Sequence, residues 1–323
     1  MKLDGSKRVG VLMGGPSRER DISITSGRAV AAALRSRGVE AVEILINTEE
    51  DFISLIRKAS IDIAFIAMHG CFGEDGTMQK ILEGLNIPYT GSGPLASSLA
   101  MDKISSRHIF EQHDILTPPG NDFNNEMWQN KLTMRNLAFP LVVKPATEGS
   151  SIGLSIVWGI ENIERAVEHA FRFSERIIIE KYIKGREITV GILGGRVLPV
   201  IQIIPKNSVY DYEAKYSYGK TSYLLPAPLP PVVYKQAQDL ACRAHDLLGC
   251  DAFSRVDMIV EDLTDKVFVL EVNTIPGLTK TSLLPKAAAF AGIDFAELCL
   301  EMILFSERGI KKLRYPATSC RVS

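Results

Sequence analysis

The chain has 323 residues, enough for two or three compact units that each bury a core, and its 37 Lys and Arg against 38 Asp and Glu leave a formal net charge of −1. That balance gives no electrostatic reason to expect nucleic acid or an acidic membrane surface as the main partner. The longest apolar runs, such as Val9–Met13 and Ile63–Met68, have strand length and fall far short of a bilayer span; Met1–Lys7 lacks a secretion signal's apolar run.

Five cysteines (Cys71, Cys242, Cys250, Cys299 and Cys320) lack CxxC spacing, which indicates neither a disulfide framework nor a zinc site and predicts a reduced, cytoplasmic chain. Along the chain, Arg8–Met13 reads as an apolar strand closed by Gly14-Gly15-Pro16, and Ile24–Arg37 as an amphipathic helix ending at Gly38. Ala41–Ile46 and Ile61–Met68 are further strands, and Thr77–Leu85 is a helix before Pro88. Apolar strands alternating with helices predict a parallel α/β sheet with ligand loops at the carboxyl ends of its strands. Gly14-Gly15 and His69-Gly70 both fall at such ends.

Ser92–Leu116 holds two helix-like stretches, followed by Thr117-Pro118-Pro119-Gly120 and a polar segment, Asn121–Asn136, of little periodicity. Leu141–Val143, Ser155–Val157 and Arg176–Glu180 are strands around a helix at Glu161–Phe173. From Glu187 the pattern is β-rich: Ile188–Leu193, Arg196–Ile204, Phe253–Val260 and Lys266–Val272. A Tyr-rich loop, Tyr210–Tyr223, and a helix, Val233–Leu248, lie between them, and a last helix fills Asp294–Glu307. Three domains follow, 1–100, 101–186 and 187–312, with a basic tail at 313–323.

The chemistry begins with Arg255-Val256-Asp257 on one strand and Glu271-Val272-Asn273 on the next. Residues i and i+2 of a strand share a face, so neighbouring strands would display a guanidinium, two carboxylates and an amide together. Those oxygens are hard ligands suited to Mg²⁺. A solvated sheet edge is the alternative, but the apolar residues around them predict burial, where unpaired carboxylates are costly. In Lys144-Pro145-Ala146-Thr147-Glu148-Gly149-Ser150-Ser151-Ile152-Gly153 a strand delivers a lysine to a small-residue loop whose amides and hydroxyls can cradle phosphate. A hairpin turn explains its glycines almost as well, and the order is not that of a P-loop. Glu180-Lys181-Tyr182-Ile183 and Glu187 sit at a domain junction, where backbone groups can meet a flat base and a carboxylate can hold ribose; a charged linker is the bland reading. Lys215 and Tyr216 lie in the Tyr-rich loop, long enough to act as a lid or to be merely exposed.

Taken in order, VLMGGPSRERDIS, AMHGCFGEDGTMQ, IPYTGSGPLASSLAMDK, VVKPATEGSSIG, IEKYIKGREITV, YDYEAKY, RVDM and LEVNTIPGLTKTSLLP resemble the D-alanine–D-alanine ligases of the ATP-grasp superfamily, from about residue 8 to 305. The resemblance implies an α/β and α+β, three-domain ATP-grasp fold with an N-terminal Rossmann-like parallel-sheet domain and ATP between the other two. It implies ligation of two D-alanines through an acyl phosphate, for peptidoglycan precursors, with ATP and two Mg²⁺ (or Mn²⁺) as cofactors in a homodimer. Carried over, Lys103 and Lys144 contact phosphate; Glu180, Lys181, Ile183 and Glu187 take adenine and ribose; Asp257, Glu271 and Asn273 hold the metal. Glu19, Ser150 and Tyr216 form the triad at the first D-alanine, with His69 beside it. Lys215, Ser282 and Leu283 cradle the γ-phosphate and the second carboxylate, while Arg255 and Gly277 donate to the tetrahedral intermediate.

Read alone, His69 is equally a satisfied core histidine, and Glu19 a carboxylate favoured at a helix N-terminus. Cys71 follows His69 directly, but adjacent side chains on an extended segment diverge, which argues against a cysteine nucleophile. Ile275 stands before Pro276-Gly277 where the family often has a small hydroxyl residue. The competing readings are an ATP-grasp ligase with another amino-acid acceptor and a catalytically silent nucleotide-binding module. A dinucleotide-binding dehydrogenase is weaker, because Gly14-Gly15 lacks the GxGxxG spacing.

Overall fold

The computed structural model describes residues 7–130, 138–205, 221–279 and 281–312. Strands β1 (Arg8–Gly14), β2 (Glu40–Ile46) and β3 (Ile63–Ile66) form a parallel sheet in the order β2-β1-β3. Helices Arg20–Ser36 and Glu49–Ala59 are its crossovers. β1 and β3 are almost wholly buried, as expected for parallel strands covered on both faces. The second crossover was not predicted, because it buries only Phe52 and Ile56. Its local signals are nonetheless strong: Thr48 caps it by accepting the Asp51 N–H at 3.3 Å, with acidic residues in its first turn and Arg57 and Lys58 in its last.

A second sheet, antiparallel throughout, runs β4-β7-β5-β6 from strands β4 (Gly120–Asn124), β5 (Leu141–Pro145), β6 (Ser155–Val157) and β7 (Arg176–Lys181). The aperiodic segment Asn121–Asn136 thus contributes an edge strand, then a helix at Asn125–Gln129 capped by Asn124, whose Oδ1 accepts the Met127 N–H at 2.8 Å. Phe123 is the buried side chain of that strand, edge-on to Trp128 at 5.8 Å, too little for a period to show.

The third sheet comprises β8 (Gly185–Leu193), β9 (Arg196–Val197), β10 (Ile201–Pro205), β11 (Thr221–Leu224), β12 (Phe253–Glu261) and β13 (Val267–Asn273). Its order is β11-β10-β8-β12-β13, with β9 paired to β8. The single strand expected over Arg196–Ile204 is two, since Pro199 lies between them and cannot donate to a ladder. The expected loop Tyr210–Tyr223 overlaps β11 at its end. Helix Pro231–Leu247 packs on β8, β12 and β13, and the unpredicted helix Leu283–Phe290 packs on β8.

The last helix among the described residues, Phe295–Lys312, returns to the first crossover helix. Leu298, Cys299, Met302 and Ile303 join Val30, Leu34 and Phe65 in one buried cluster with Phe253, Leu283 and Leu284. The first and third sheets therefore share a core, whereas the second keeps its own, around Leu141, Val143, Ile163, Val167 and Ile177. Among the described residues no helix is long and apolar enough to cross a membrane.

Candidate active site

Two cavities meet at the β12–β13 pair. The larger, about 390 Å³, lies between the second and third sheets and combines apolar lining (Val142, Ile156, Ile183, Met258, Leu270) with Lys103, Lys144, Glu180, Glu187, Asp257 and Glu271. The smaller, about 80 Å³, takes Glu19, His69 and Glu74 from the first unit, Ser150 from the second, and Arg255, Asn273, Gly277, Ser282 and Leu283 from the third. Glu271 lines both.

The register of two antiparallel strands builds the junction. Arg255 opposes Asn273 and Asp257 opposes Glu271, with an irregularity just after Asp257. On the other side β8 sets Thr189 opposite Asp257. The Asp257 carboxylate accepts from Arg255 Nε at 2.8 Å and Nη2 at 2.7 Å, from Asn273 Nδ2 at 3.0 Å and from Thr189 Oγ1 at 2.6 Å. A carboxylate offers roughly four lone-pair positions; Arg255 and Thr189 fill three of them and hold Asp257 in place, while a flip of the Asn273 amide would free the fourth. Thr189 was absent from the sequence reading, because only the non-local β8–β12 pairing brings it here.

Among the described residues no three His, Cys, Asp or Glu side chains cluster to hold a metal. Two carboxylates, Asp257 and Glu271, with the amide oxygen that a flip of Asn273 would present, still make an all-oxygen donor set suited to a hard divalent cation. Lys103 already brings positive charge to the same place: its Nζ lies 3.3 Å from Glu271 Oε2 and donates to the Glu148 carbonyl at 2.7 Å. Lys144 Nζ donates to Glu180 Oε1 at 2.6 Å, with both side chains nearly buried. Beyond them, the Lys181 and Tyr182 N–H groups donate to the Pro119 and Pro140 carbonyls at 2.7 and 3.1 Å. The Ile183 N–H has no partner among the described residues.

At the far end of the small cavity Glu19 sits at the N-cap of the first crossover helix without capping it. Its buried carboxylate instead accepts the Ser150 hydroxyl, joining the first unit to the second. Ser150 and Ser151 hold φ values of 51° and 59°, a left-handed conformation that costs non-glycine residues of the order of 1 kcal/mol or more each. A Cβ on neighbouring Gly149 would stand 3.0 Å from Glu19 Oε2, tighter than ordinary contact, so this close approach wants a glycine.

His69 is both a satisfied histidine and a cavity wall. Its Nε2 lies 3.1 Å from Ser26 Oγ, and its Nδ1 lies 3.1 Å from the Ile275 carbonyl and 3.7 Å from Glu74 Oε1. Burial opposes the imidazolium, but the hydrogen bond and charge of Glu74, with Glu19 behind it, outweigh that and raise the pKa. Burial likewise raises Glu74, against the opposing pull of His69 and the Gly70 N–H. Glu74 is a site residue that the sequence reading missed, although it lies inside the quoted AMHGCFGEDGTMQ motif five residues beyond His69. The Cys71 thiol is pushed up to about 11 by burial and Asp75, an inert thiol at neutral pH.

Ser282 and Leu283 open the helix Leu283–Phe290, and Gly277 lies beside Ser282. Lys215 and Tyr216, with residues 210–220 of the Tyr-rich loop, lie outside the described residues. The loop's described end brings Tyr223 to the small cavity, with Lys286 Nζ 3.8 Å from its ring centroid. The basic tail expected at 313–323 also lies outside the described residues.

Family models described as D-ala D-ala ligase N-terminus and D-ala D-ala ligase C-terminus match residues 54–92 and 109–304. A D-alanine–D-alanine ligase of Syntrophotalea carbinolica is 47% identical over 298 residues, 92% of this chain and 95% of that protein. The crystal structure of D-alanine–D-alanine ligase from Bacillus anthracis complexed with ATP superposes with a TM-score of 0.84 at 36% identity, covering 95% of this chain and all of that one. The VanG D-Ala:D-Ser ligase from Enterococcus faecalis superposes with a TM-score of 0.80 at 28% identity, covering 93% of this chain and 99% of that one.

Proposed function

The chain belongs to the D-alanine–D-alanine ligase family, and from that premise we propose how its residues join two D-alanines. It is an ATP-dependent ligase of the ATP-grasp fold that makes D-alanyl-D-alanine for peptidoglycan synthesis. The observation that carries the residue assignment is Glu271: it lines both cavities, in register with Asp257 and one strand away from it. A nucleotide's phosphates and a small substrate can therefore meet at this strand pair.

A carboxylate is a poor electrophile, so it must be activated before an amine can attack it. In this proposal the apolar lining and the Ile183 N–H receive adenine, Glu187 the ribose, and Lys103 and Lys144 the phosphates. The Lys144–Glu180 pair keeps that lysine aimed into the cavity. Glu19, oriented by Ser150, holds the first D-alanine's ammonium, so its carboxylate faces the γ-phosphate at the junction. Attack there gives an acyl phosphate and ADP. The second D-alanine, its carboxylate on Ser282 and the Leu283 amide, then presents its amine to the carbonyl. Arg255 and the Gly277 N–H stabilise the oxyanion until phosphate leaves. Both steps build negative charge, so positioning and fixed positive groups supply most of the acceleration. Asp257, Glu271 and Asn273 would hold Mg²⁺ or Mn²⁺, which when bound neutralises phosphate oxygens.

The division into 1–100, 101–186 and 187–312, a homodimeric state and a cytoplasmic location complete the proposal. The direct test is phosphate release with ATP, Mg²⁺ and D-alanine. L-alanine should give background only, and D-serine is the competing acceptor to include, given the likeness to a D-Ala:D-Ser ligase. Equal rates with L-alanine would refute the proposed substrate geometry.

A further inference from the structure

Ser282 occupies the N-cap of the helix Leu283–Phe290 with φ −70° and ψ 148°, yet its side chain makes no cap hydrogen bond. A serine there ordinarily accepts the N–H of the second or third helical residue, and with Pro285 third only the Leu284 N–H could donate to it. Here the hydroxyl is drawn backwards. Ser282 Oγ accepts the Thr279 N–H at 3.0 Å and lies 2.8 Å from Thr279 Oγ1, which lies 3.1 Å from Thr281 Oγ1. The Ser282 N–H closes the turn on the Thr279 carbonyl at 3.0 Å. Resting on the ligase reading above, we propose that Thr279 is a positioning residue for the acceptor amino acid: it holds Ser282 off its own helix and makes its hydroxyl a donor to the acceptor's carboxylate.

A hydroxyl carries one proton and two lone pairs. One lone pair of Ser282 takes the Thr279 amide. An anion in the cavity needs the proton, and one order of donation supplies it. Thr281 donates to Thr279, Thr279 to the second lone pair of Ser282, and Ser282 outward. Reversing the chain would turn oxygen lone pairs toward a carboxylate. The same turn leaves the Leu283 and Leu284 amides without the serine cap (Pro285 has no N–H, and the Lys286 N–H donates to the Ser282 carbonyl at 3.2 Å), so the hydroxyl and these two amides are offered to one ligand. Gly277 keeps the approach open, since a Cβ there would stand 2.8 Å from Ser282 Oγ. Thr279, Thr281, Ser282 and Gly277 all line the small cavity.

The test compares Thr279→Val with Thr279→Ser in the full-length enzyme, following ADP release against D-alanine concentration at saturating ATP. Valine keeps the branched shape and removes the hydroxyl. The acceptor-site KM should rise about five- to tenfold, the order expected for weakening one oriented hydrogen bond to a charged group. The KM for ATP and kcat should stay within about twofold, and serine should restore the acceptor KM. In a Ser282→Ala background Thr279→Val should add nothing, because the threonine acts through that hydroxyl. An unchanged acceptor KM in Thr279→Val, or the full penalty persisting without Ser282, would overturn the inference. Should the valine variant fail to fold, Thr279→Ala against Thr279→Ser carries the same comparison. Wild-type turnover of D-alanine separates the two levels: without it the ligase reading fails, and with it an indifferent Thr279 defeats this inference alone.

Discussion

Replacing Lys144 with Met would leave the Glu180 carboxylate where it is, without its cation. The two are 2.6 Å apart, and their side chains are only 10% and 6% exposed, so solvent screening does little to weaken the pair. Removing one partner of a buried ion pair costs about 3–5 kcal/mol, chiefly because the other is stranded. Both groups border the large cavity, which admits water, so the lower end, about 3 kcal/mol, is the expectation. Methionine fills much of the same space, which keeps any packing term small. The chain's two tryptophans, Trp128 and Trp158, both belong to the part of the chain that builds the second sheet, so their fluorescence during urea unfolding reports the unit that carries the pair. Lys144→Met should lower the midpoint markedly, and Lys144→Met with Glu180→Met should recover most of it, while both variants lose ATP affinity. A single variant that unfolds with the wild type, or a double variant no better than the single, would refute the reasoning.

Asn273→Ala and Glu271→Gln should each abolish phosphate release, a loss of at least about a hundredfold if a metal ligand is removed, with an unchanged circular dichroism spectrum. Activity near wild type in either would sink the metal assignment. Glu74→Gln removes the largest of the interactions that raise His69, leaving only Glu19 and the Ile275 carbonyl against burial, so the imidazole should titrate at lower pH by NMR. The linkage sign follows: a raised His69 stabilises the fold fully below its ordinary value of 6.5, and that stability is lost as pH rises through the folded value. Glu74, also raised, acts in the same direction, so the wild type's advantage over the variant should shrink with increasing pH. Cys71→Ser should retain activity, because a thiol at about 11 is ionised to only about one part in ten thousand at neutral pH; loss of turnover would contradict this.

Much of this fold was legible in the sequence because its signals are local. β1, β2 and β6 stand almost where apolar runs and turn residues put them. The pairing of Arg255-x-Asp257 with Glu271-x-Asn273 needed only period-two alternation and a guess that consecutive strands are neighbours. Helix Glu49–Ala59 and strand Gly120–Asn124 escaped because each buries one or two apolar residues, too few to mark a face. Thr189 and the Glu19–Ser150 contact are different: 68 and 131 residues separate the partners, and nothing near any of them in the chain announces the other. Family resemblance supplied Glu19 and Ser150. It did not supply Glu74, Thr189 or Thr279, which contact His69, Asp257 and Ser282 respectively.

In the proposed mechanism a D-alanine carboxylate attacks the γ-phosphate at the junction beside Glu271, giving an acyl phosphate before the amide forms. D-alanine labelled with ¹⁸O in its carboxylate, incubated with enzyme, ATP and Mg²⁺, tests this directly when the released phosphate is analysed by mass spectrometry. One carboxylate oxygen should appear in each phosphate released during dipeptide formation. Dipeptide formed alongside unlabelled phosphate would contradict the account.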